Sequence, residues 1–180
     1  YQNRIDQLEH ELFNVDLTIG LFCDEIVALY EYHPQFIEHE NLTEAITKRF
    51  AELMYKGFSF HILRGRPLRC SSKLIQSSLK HVSHSTDGAP LVLTVIGEQS
   101  SAKSSLMNAC FGCNFRVSPG RCTIGIYLSV VRYKSSTIVI FDTEGLLSLK
   151  ESGSIFDNQM VSLAMLSSHM VLINHKGELS

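Results

Sequence analysis

Residues 91–112 read LVLTVIGEQSSAKSSLMNACFG, and this stretch decides the fold. Its first part, 91–97, is an apolar run of strand length that ends in a glycine, which is typical of a buried strand. Its second part, 101–112, is closed by Gly112 and predicts a helix. A buried strand, a glycine turn and a helix in this order favour an α/β domain built on a mainly parallel sheet.

The residues that follow continue the alternation of strands and helices. Two strands, 126–133 and 137–142, are predicted on either side of the short turn KSS. A helix is predicted over 156–168, and a last strand over 169–175. These elements support the same fold class.

The first half of the chain has a helical pattern instead. Apolar residues recur at helical spacing over 5–15 and again over 26–30. A third helix is predicted from an N-cap at Asn41 to Gly57, and a fourth over 72–82.

This change of pattern divides the chain into a helical segment, residues 1–88, and an α/β domain, residues 89–180. The helical segment has two interpretations, as a packing partner of the α/β domain or as a dimerisation element. Because the chain begins at Tyr1 without a methionine, we expect it to be part of a longer protein. We also expect the α/β domain to be incomplete at its C-terminus.

Composition narrows the classes of function. The 16 basic and 18 acidic residues nearly balance, which argues against broad electrostatic binding of nucleic acid. No apolar run reaches the roughly 20 residues of a membrane-spanning helix. The five cysteines are odd in number and scattered, which favours reduced thiols in the cytoplasm over a disulfide framework.

Residues 97–104, GEQSSAKS, join the predicted strand to the predicted helix, and we call them the phosphate loop. Backbone N–H groups at a helix N-terminus are unpaired, and the helix dipole favours an anion there. In the pattern GxxxxGK[ST] the lysine reaches the β- and γ-phosphates of a nucleotide and the hydroxyl ligates Mg²⁺. Lys103 and Ser104 fill these positions, whereas Ala102 replaces the second glycine. Its methyl is harmless if Ala102 is helical and strained if its φ is positive.

Two further motifs follow in the order expected of a nucleotide switch. Asp142 ends a strand and opens the sequence DTEG, which finishes at Gly145. A carboxylate there can hold the water shell of Mg²⁺, and the glycine N–H can sense a γ-phosphate. Thr123, in SPGRCTIGI, is placed to close over Mg²⁺. The three motifs together favour a P-loop domain over an ordinary turn with a surface lysine.

These motifs resemble those of a known family. GEQSSAKSSLMN resembles the phosphate loop of dynamin-superfamily GTPases, and GRCTIGIYL with FDTEGL is similar to guanylate-binding proteins. The runs NACFGCNFRVSPGRCTIGIYL and DNQMVSLAMLSSHMVLINHKGE resemble the very large interferon-inducible GTPases in particular. The resemblance covers residues 50–180. It is specific in the phosphate loop, in the segment SPGRCTIGI around Thr123, which is the first switch, and in the DTEG segment.

The resemblance implies the N-terminal half of a GTPase-type P-loop domain preceded by a helical segment. It implies GTP and Mg²⁺ as ligands, with hydrolysis that is slow or depends on assembly. A homo-oligomer formed through the GTPase domain is the implied partner state. The implied location is the cytoplasm, with the nucleus as an alternative.

Carried to this sequence, the resemblance assigns three sets of site residues. The nucleotide-binding set is Gly97, Glu98, Gln99, Ser100, Ser101, Ala102, Lys103, Ser104, Ser105, Thr123, Asp142 and Gly145. The metal set is Ser104, Thr123 and Asp142, and the catalytic set is Ser100, Arg121 and Thr123. Ser100 is expected near the bridging oxygen. Arg121 either neutralises charge in the transition state or only positions its own loop.

Two departures from the family pattern leave other functions open. Leu146 follows DTEG where small switch GTPases have a glutamine that orients water, and Ala102 puts the affinity in question. The alternative is therefore a nucleotide-binding scaffold without turnover. An ATP-using P-loop enzyme is a third hypothesis, because the base-reading motif is expected after residue 180.

Three other groups of residues are interpreted as structural. Residues 174–177, NHKG, lack the aspartate of a guanine-reading motif, so Asn174 and Lys176 are interpreted as simple loop residues. The CxxC pattern of 110–113 lies at the end of a helix and not at its start, which argues against a redox or zinc site. His81 and His84 are interpreted as surface residues.

Overall fold

The computed structural model describes residues 19–33, 35, 40–63, 72–84, 88–98, 100–117, 125–143 and 155–175. The helices in these ranges are α1 (Ile19–Tyr32), α2 (Glu40–Tyr55), α3 (Lys73–His84), α4 (Lys103–Phe111) and α5 (Ile155–Ser167). The strands are β1 (Phe60–Leu63), β2 (Leu91–Gly97), β3 (Ile126–Tyr133), β4 (Ser136–Thr143) and β5 (Met170–Asn174). None of these helices combines the length and the apolar character needed to cross a membrane.

The five described strands form one sheet in the order β1-β3-β4-β2-β5. Strand β2 pairs in parallel with β4 and with β5, and β3 pairs antiparallel with β1 and with β4. The expectation of a mainly parallel sheet was therefore wrong, since half of the pairings are antiparallel. The reason is local: β3 and β4 are joined by a tight turn, in which Lys134 has a φ of 55°, and such a turn can only connect antiparallel strands.

The helices predicted over 26–30, 41–57, 72–82, 101–112 and 156–168 are confirmed as α1 to α5. Helix α2 begins at Glu40, so the N-cap prediction at Asn41 was wrong and Asn41 lies in the first turn. Gly57 follows the end of α2 with a φ of 78°, which is a conformation that glycine adopts without strain. The helix predicted over 5–15 lies outside the described residues.

Strand β1 was not predicted and lies inside the segment 1–88. It has four residues, FHIL, which is too short for a periodic pattern to reveal. Buried side chains of this segment, including Phe50, Met54 and Phe60, share one hydrophobic cluster with Leu128 and Val130 of β3. Helix α2 therefore packs on the sheet, and α3 packs mainly on α2. The division of the chain at residue 88 stays a prediction.

The topology places three strand ends side by side. Strand β2 lies between β4 and β5, and both are parallel to it. In an α/β sheet the carboxyl ends of parallel strands form the crevice that binds ligands. The phosphate loop leaves the sheet at the middle one of these three strand ends.

Candidate functional site

Three strands bring the candidate site together. Strand β2 ends at Gly97, where the phosphate loop begins. Asp142 of β4 is in register with Val95, and Asn174, the last residue of β5, is in register with Gly97. The phosphate loop is therefore flanked by the Asp142 carboxylate of β4 on one side and by the Asn174 amide of β5 on the other.

Lys103 is the first residue of α4 and folds back over the phosphate loop. Its side chain is 6% exposed, and Nζ donates hydrogen bonds to the carbonyl oxygens of Gly97 (3.1 Å) and Glu98 (2.8 Å). A buried ammonium group is costly unless it has such partners. These carbonyls hold a positive charge at the N-terminus of α4, where it adds to the helix dipole in attracting an anion.

Ser104 and Asp142 form the second contact of the site. Ser104 Oγ donates a hydrogen bond of 2.5 Å to Asp142 Oδ2, and Asp142 is 1% exposed. Short O–H···O⁻ bonds of this kind are among the stronger hydrogen bonds in proteins. A hydroxyl and a carboxylate are also the oxygen donors that Mg²⁺ prefers. The pair therefore fits a magnesium ion next to the phosphate loop.

The backbone of the phosphate loop is strained on both sides of Ser101. Ser100 has a φ of 59°, and Ala102 has a φ of 62° and a ψ of 29°. The left-handed conformation costs a residue with a Cβ about 1–2 kcal/mol. Ala102 is thus not yet helical, and the strained alternative from the sequence applies. Ser101 is buried, and its Oγ makes no hydrogen bond within the described ranges.

Replacing Ala102 by glycine is expected to stabilise the chain by about 0.5–1 kcal/mol. Relief of the left-handed strain outweighs the extra freedom that glycine gives the unfolded chain. We also expect the variant to bind nucleotide a few-fold more tightly, since less strain opposes wrapping around phosphate. Urea unfolding and nucleotide titration measure the two effects.

Ala109→Gly is the matched control because Ala109 is an exposed residue in the interior of α4. That substitution is expected to destabilise by about 1 kcal/mol. If Ala102→Gly destabilised as Ala109→Gly does, the left-handed strain at Ala102 would be refuted.

The remaining residues of the predicted site divide into two groups. Glu98 is half-buried and pairs with His175, whose Nδ1 lies 2.9 Å from Glu98 Oε1, and Ser105 is half-buried in the first turn of α4. Outside the described residues lie Gln99, Arg121, Thr123, Gly145 and Leu146. Their predicted roles stay predictions.

Asn174 was interpreted as a simple loop residue, and this was wrong. It ends β5, and its Nδ2 donates a hydrogen bond of 2.6 Å to the carbonyl oxygen of Ser101. The sequence held a partial signal, because a polar residue at the end of a strand in an α/β sheet can lie at the ligand-binding edge. The pairing of β5 with β2 places Asn174 beside the phosphate loop. Lys176 lies outside the described residues.

The two cysteines of the CxxC pattern differ in environment. Cys110 is exposed on α4, whereas Cys113 is buried. Burial is the main cause that raises the pKa of the Cys113 thiol to about 11, with a lowering contribution from a hydrogen bond with Ser129 and a raising one from the charge of Asp142. The thiolate is the reactive form of cysteine, so Cys113 is poorly suited to redox chemistry.

At pH 8, iodoacetamide is expected to modify Cys110 at least about tenfold faster than Cys113. With a pKa of about 11, only about one Cys113 thiol in a thousand is ionised at pH 8. Both cysteines lie in the tryptic peptide 104–116, so fragmentation of that peptide by tandem mass spectrometry is used to follow each site. Labelling of Cys113 should speed up as the pH rises toward 11 and in denaturant. Equal rates in the folded chain at pH 8 would contradict its burial.

Comparisons with known proteins find relatives over nearly the whole chain. The URGCP-like GTPase domain family matches residues 1–179. The chain is 29% identical to interferon-induced very large GTPase 1 of Mus musculus over 189 residues, and 27% identical to that of Homo sapiens over 188 residues. Each alignment covers 98% of this chain and 8% of the relative. The chain therefore spans less than a tenth of the length of these relatives.

Shorter similarities involve other proteins. Protein SEY1 homolog 2 of Paramecium tetraurelia is 36% identical over 90 residues, which cover 46% of this chain and 12% of that protein. Among solved structures, NFeoB from S. thermophilus bound to GDP.AlF4⁻ and K⁺ has a TM-score of 0.37 and 25% identity. That alignment covers 47% of this chain and 33% of the NFeoB chain.

Proposed function

Since this chain belongs to the URGCP-like GTPase domain family, we propose that it binds GTP together with Mg²⁺ and hydrolyses it. The observation that carries the proposal is the arrangement around the N-terminus of α4. A buried lysine lies over the phosphate loop, and a serine hydroxyl is bonded to a buried carboxylate. These groups match the charges of a nucleotide phosphate and its metal.

Each described residue has a defined task in this proposal. The N–H groups that open α4 donate to phosphate oxygens. Lys103 exchanges its two carbonyl partners for the β- and γ-phosphates, which replaces neutral acceptors by charged ones. Ser104 and Asp142 would hold Mg²⁺, which neutralises charge on the phosphate oxygens when it is bound. Phosphate and metal would thus both be held where the loop joins α4.

Hydrolysis is assigned to residues around the γ-phosphate. Thr123 and Gly145 would contact the γ-phosphate side, and Ser100 or Arg121 would stabilise charge that develops in the transition state. Ser100 is exposed at the loop surface, where a bound phosphate chain can reach it. Leu146 replaces the water-orienting glutamine of small switch GTPases, so we propose that turnover is slow until assembly completes the site.

A nucleotide-binding scaffold without turnover is the second candidate function. The observation in its favour is the left-handed Ala102, because strain at this residue lowers the population of the loop conformation that orients phosphate. The two candidates share the binding step and differ in the release of phosphate.

The deciding experiment compares phosphate release from GTP and from ATP by the full chain, with Mg²⁺ and with EDTA. Release from GTP that requires Mg²⁺ supports the GTPase. Binding of GTP without release supports the scaffold, and a preference for ATP would contradict both. Ser104→Ala should lose the Mg²⁺ dependence, whereas Ser136→Ala, at an exposed position of β4, serves as the matched control.

We further propose nucleotide-switched homo-oligomers formed through the GTPase domain. The family resemblance also supports interferon-inducible expression and a cytoplasmic location. Light scattering in the presence of GDP or a non-hydrolysable GTP analogue tests the assembly. A mass that does not change between the two nucleotides would contradict it.

A further inference from the structure

The end of strand β5 contacts the phosphate loop at two points. Asn174 Nδ2 donates to the carbonyl oxygen of Ser101 at 2.6 Å. His175, the next residue, lies with Nδ1 2.9 Å from Glu98 Oε1. The first contact is partly buried, whereas the second lies at the surface, with side chains 41% and 32% exposed, where such pairs are weak. The contact between Asn174 and Ser101 is therefore the stronger of the two.

The Asn174 contact falls on the most strained part of the loop. Ser101 lies between Ser100 and Ala102, and both neighbours have a left-handed φ. A strained backbone persists only where surrounding contacts fix it. The carbonyl of Ser101 belongs to the peptide that leads into Ala102, so a bond to this oxygen fixes the orientation of the strained peptide. Without the bond, that peptide is free to rotate toward an unstrained conformation.

The backbones of β5 and the loop also approach closely. Asn174 and Gly97 are register partners, and a Cβ built on Gly97 would lie 2.0 Å from the carbonyl oxygen of Asn174. Little room is left for Asn174 to move relative to the loop. On the opposite side, Asp142 of β4 accepts from Ser104. The loop is thus held between an asparagine and an aspartate from the two strands that flank β2.

We propose that Asn174 is a positioning residue for nucleotide phosphate. It does not contact the phosphate, and it acts by holding the Ser101–Ala102 peptide in the orientation that lets the loop N–H groups converge. Loss of its amide should speed up the dissociation of GTP and GDP. Turnover at saturating GTP should change little, because the residues assigned to chemistry stay in place. This inference rests on the proposed function, since it concerns the same loop.

The test measures the dissociation of fluorescent GTP and GDP from the full chain and from two variants. Asn174→Ala removes the donor and is expected to raise the dissociation rate roughly 3- to 10-fold. This factor corresponds to the free energy that one hydrogen bond contributes. Asn174→Asp keeps the shape but turns a carboxylate toward a carbonyl oxygen, so its effect should be larger. KM for GTP should rise in both variants while kcat stays within about twofold.

Asn108→Ala is the matched control for a loss of stability alone. Asn108 bonds the N–H and the carbonyl oxygen of Phe115 through its amide, at the far end of α4. This variant should lower the unfolding temperature without changing the dissociation rate. If Asn108→Ala speeded up dissociation as much as Asn174→Ala, Asn174 would be only a structural residue.

A second measurement does not depend on the stability of one variant. In a chain that carries Ala102→Gly, residue 102 is not strained and the peptide needs less support from Asn174. Asn174→Ala should therefore reduce the affinity for GTP less than it does in the natural chain. Equal costs in both backgrounds would overturn the proposal, as would unchanged dissociation from both Asn174 variants. If the natural chain bound no GTP, the proposed function itself would fail, which is a separate outcome.

Discussion

Lys103→Ala is expected to reduce the affinity for GTP by at least about a hundredfold, since it removes two charge-assisted hydrogen bonds to phosphate. The lysine is already folded over the loop, with Nζ within 3.1 Å of two carbonyl oxygens. Little conformational entropy is therefore lost when phosphate replaces these acceptors. Titration of fluorescent GTP measures the loss, and thermal unfolding shows whether the variant is folded.

Lys73→Ala provides the comparison, because Lys73 is an exposed lysine at the start of α3. It removes the same charge from the chain without touching the site. The two variants should differ by the whole hundredfold factor. If a folded Lys103→Ala chain bound GTP as well as Lys73→Ala does, the role assigned to Lys103 would be refuted.

Gly97→Ala is expected to destabilise the chain by more than about 3 kcal/mol. The new methyl carbon would lie 2.0 Å from the carbonyl oxygen of Asn174, so strands β2 and β5 would have to separate where they pair. This separation would also break the bond from Asn174 to Ser101. Urea unfolding monitored by circular dichroism measures the change.

Gly112→Ala is the control that separates the cost of a positive φ from the cost of the close contact at Gly97. Gly112 has a φ of 68°, but a Cβ there would meet no atom within 4 Å. Its replacement should cost about 1 kcal/mol, which is the strain of a left-handed alanine. Similar costs at the two glycines would show that β5 does not approach Gly97 as described.

The parts of the site that are contiguous in sequence could be predicted. Lys103 and Ser104 follow a strand and open a helix, and Asp142 ends another strand, so pattern alone located them. The fold class followed from the same alternation of strands and helices. Conformation within the loop could not be predicted, because GxxxxAKS is compatible with either value of φ at Ala102. In the folded chain that residue lies in the left-handed region.

Contacts between distant parts of the chain were missed for a different reason. Asn174 acts on Ser101, 73 residues away, and only the order of the strands brings the two together. Strand β1 joins the sheet through pairing with β3, although its four residues carry no periodic signal of their own. Asn174 does not fit a base-reading motif, and its role follows instead from its position at the end of β5.

The most direct test of the central claim is calorimetric titration of the full chain with GTP and with guanosine, each in the presence of Mg²⁺. The described site residues are proposed to bind phosphate and metal, and none of them is proposed to bind the base. We therefore expect saturable binding of GTP that is weakened by EDTA, and no measurable binding of guanosine. Equal binding of the two ligands, or no binding of GTP, would contradict the assignment of residues 97–104 as a phosphate loop.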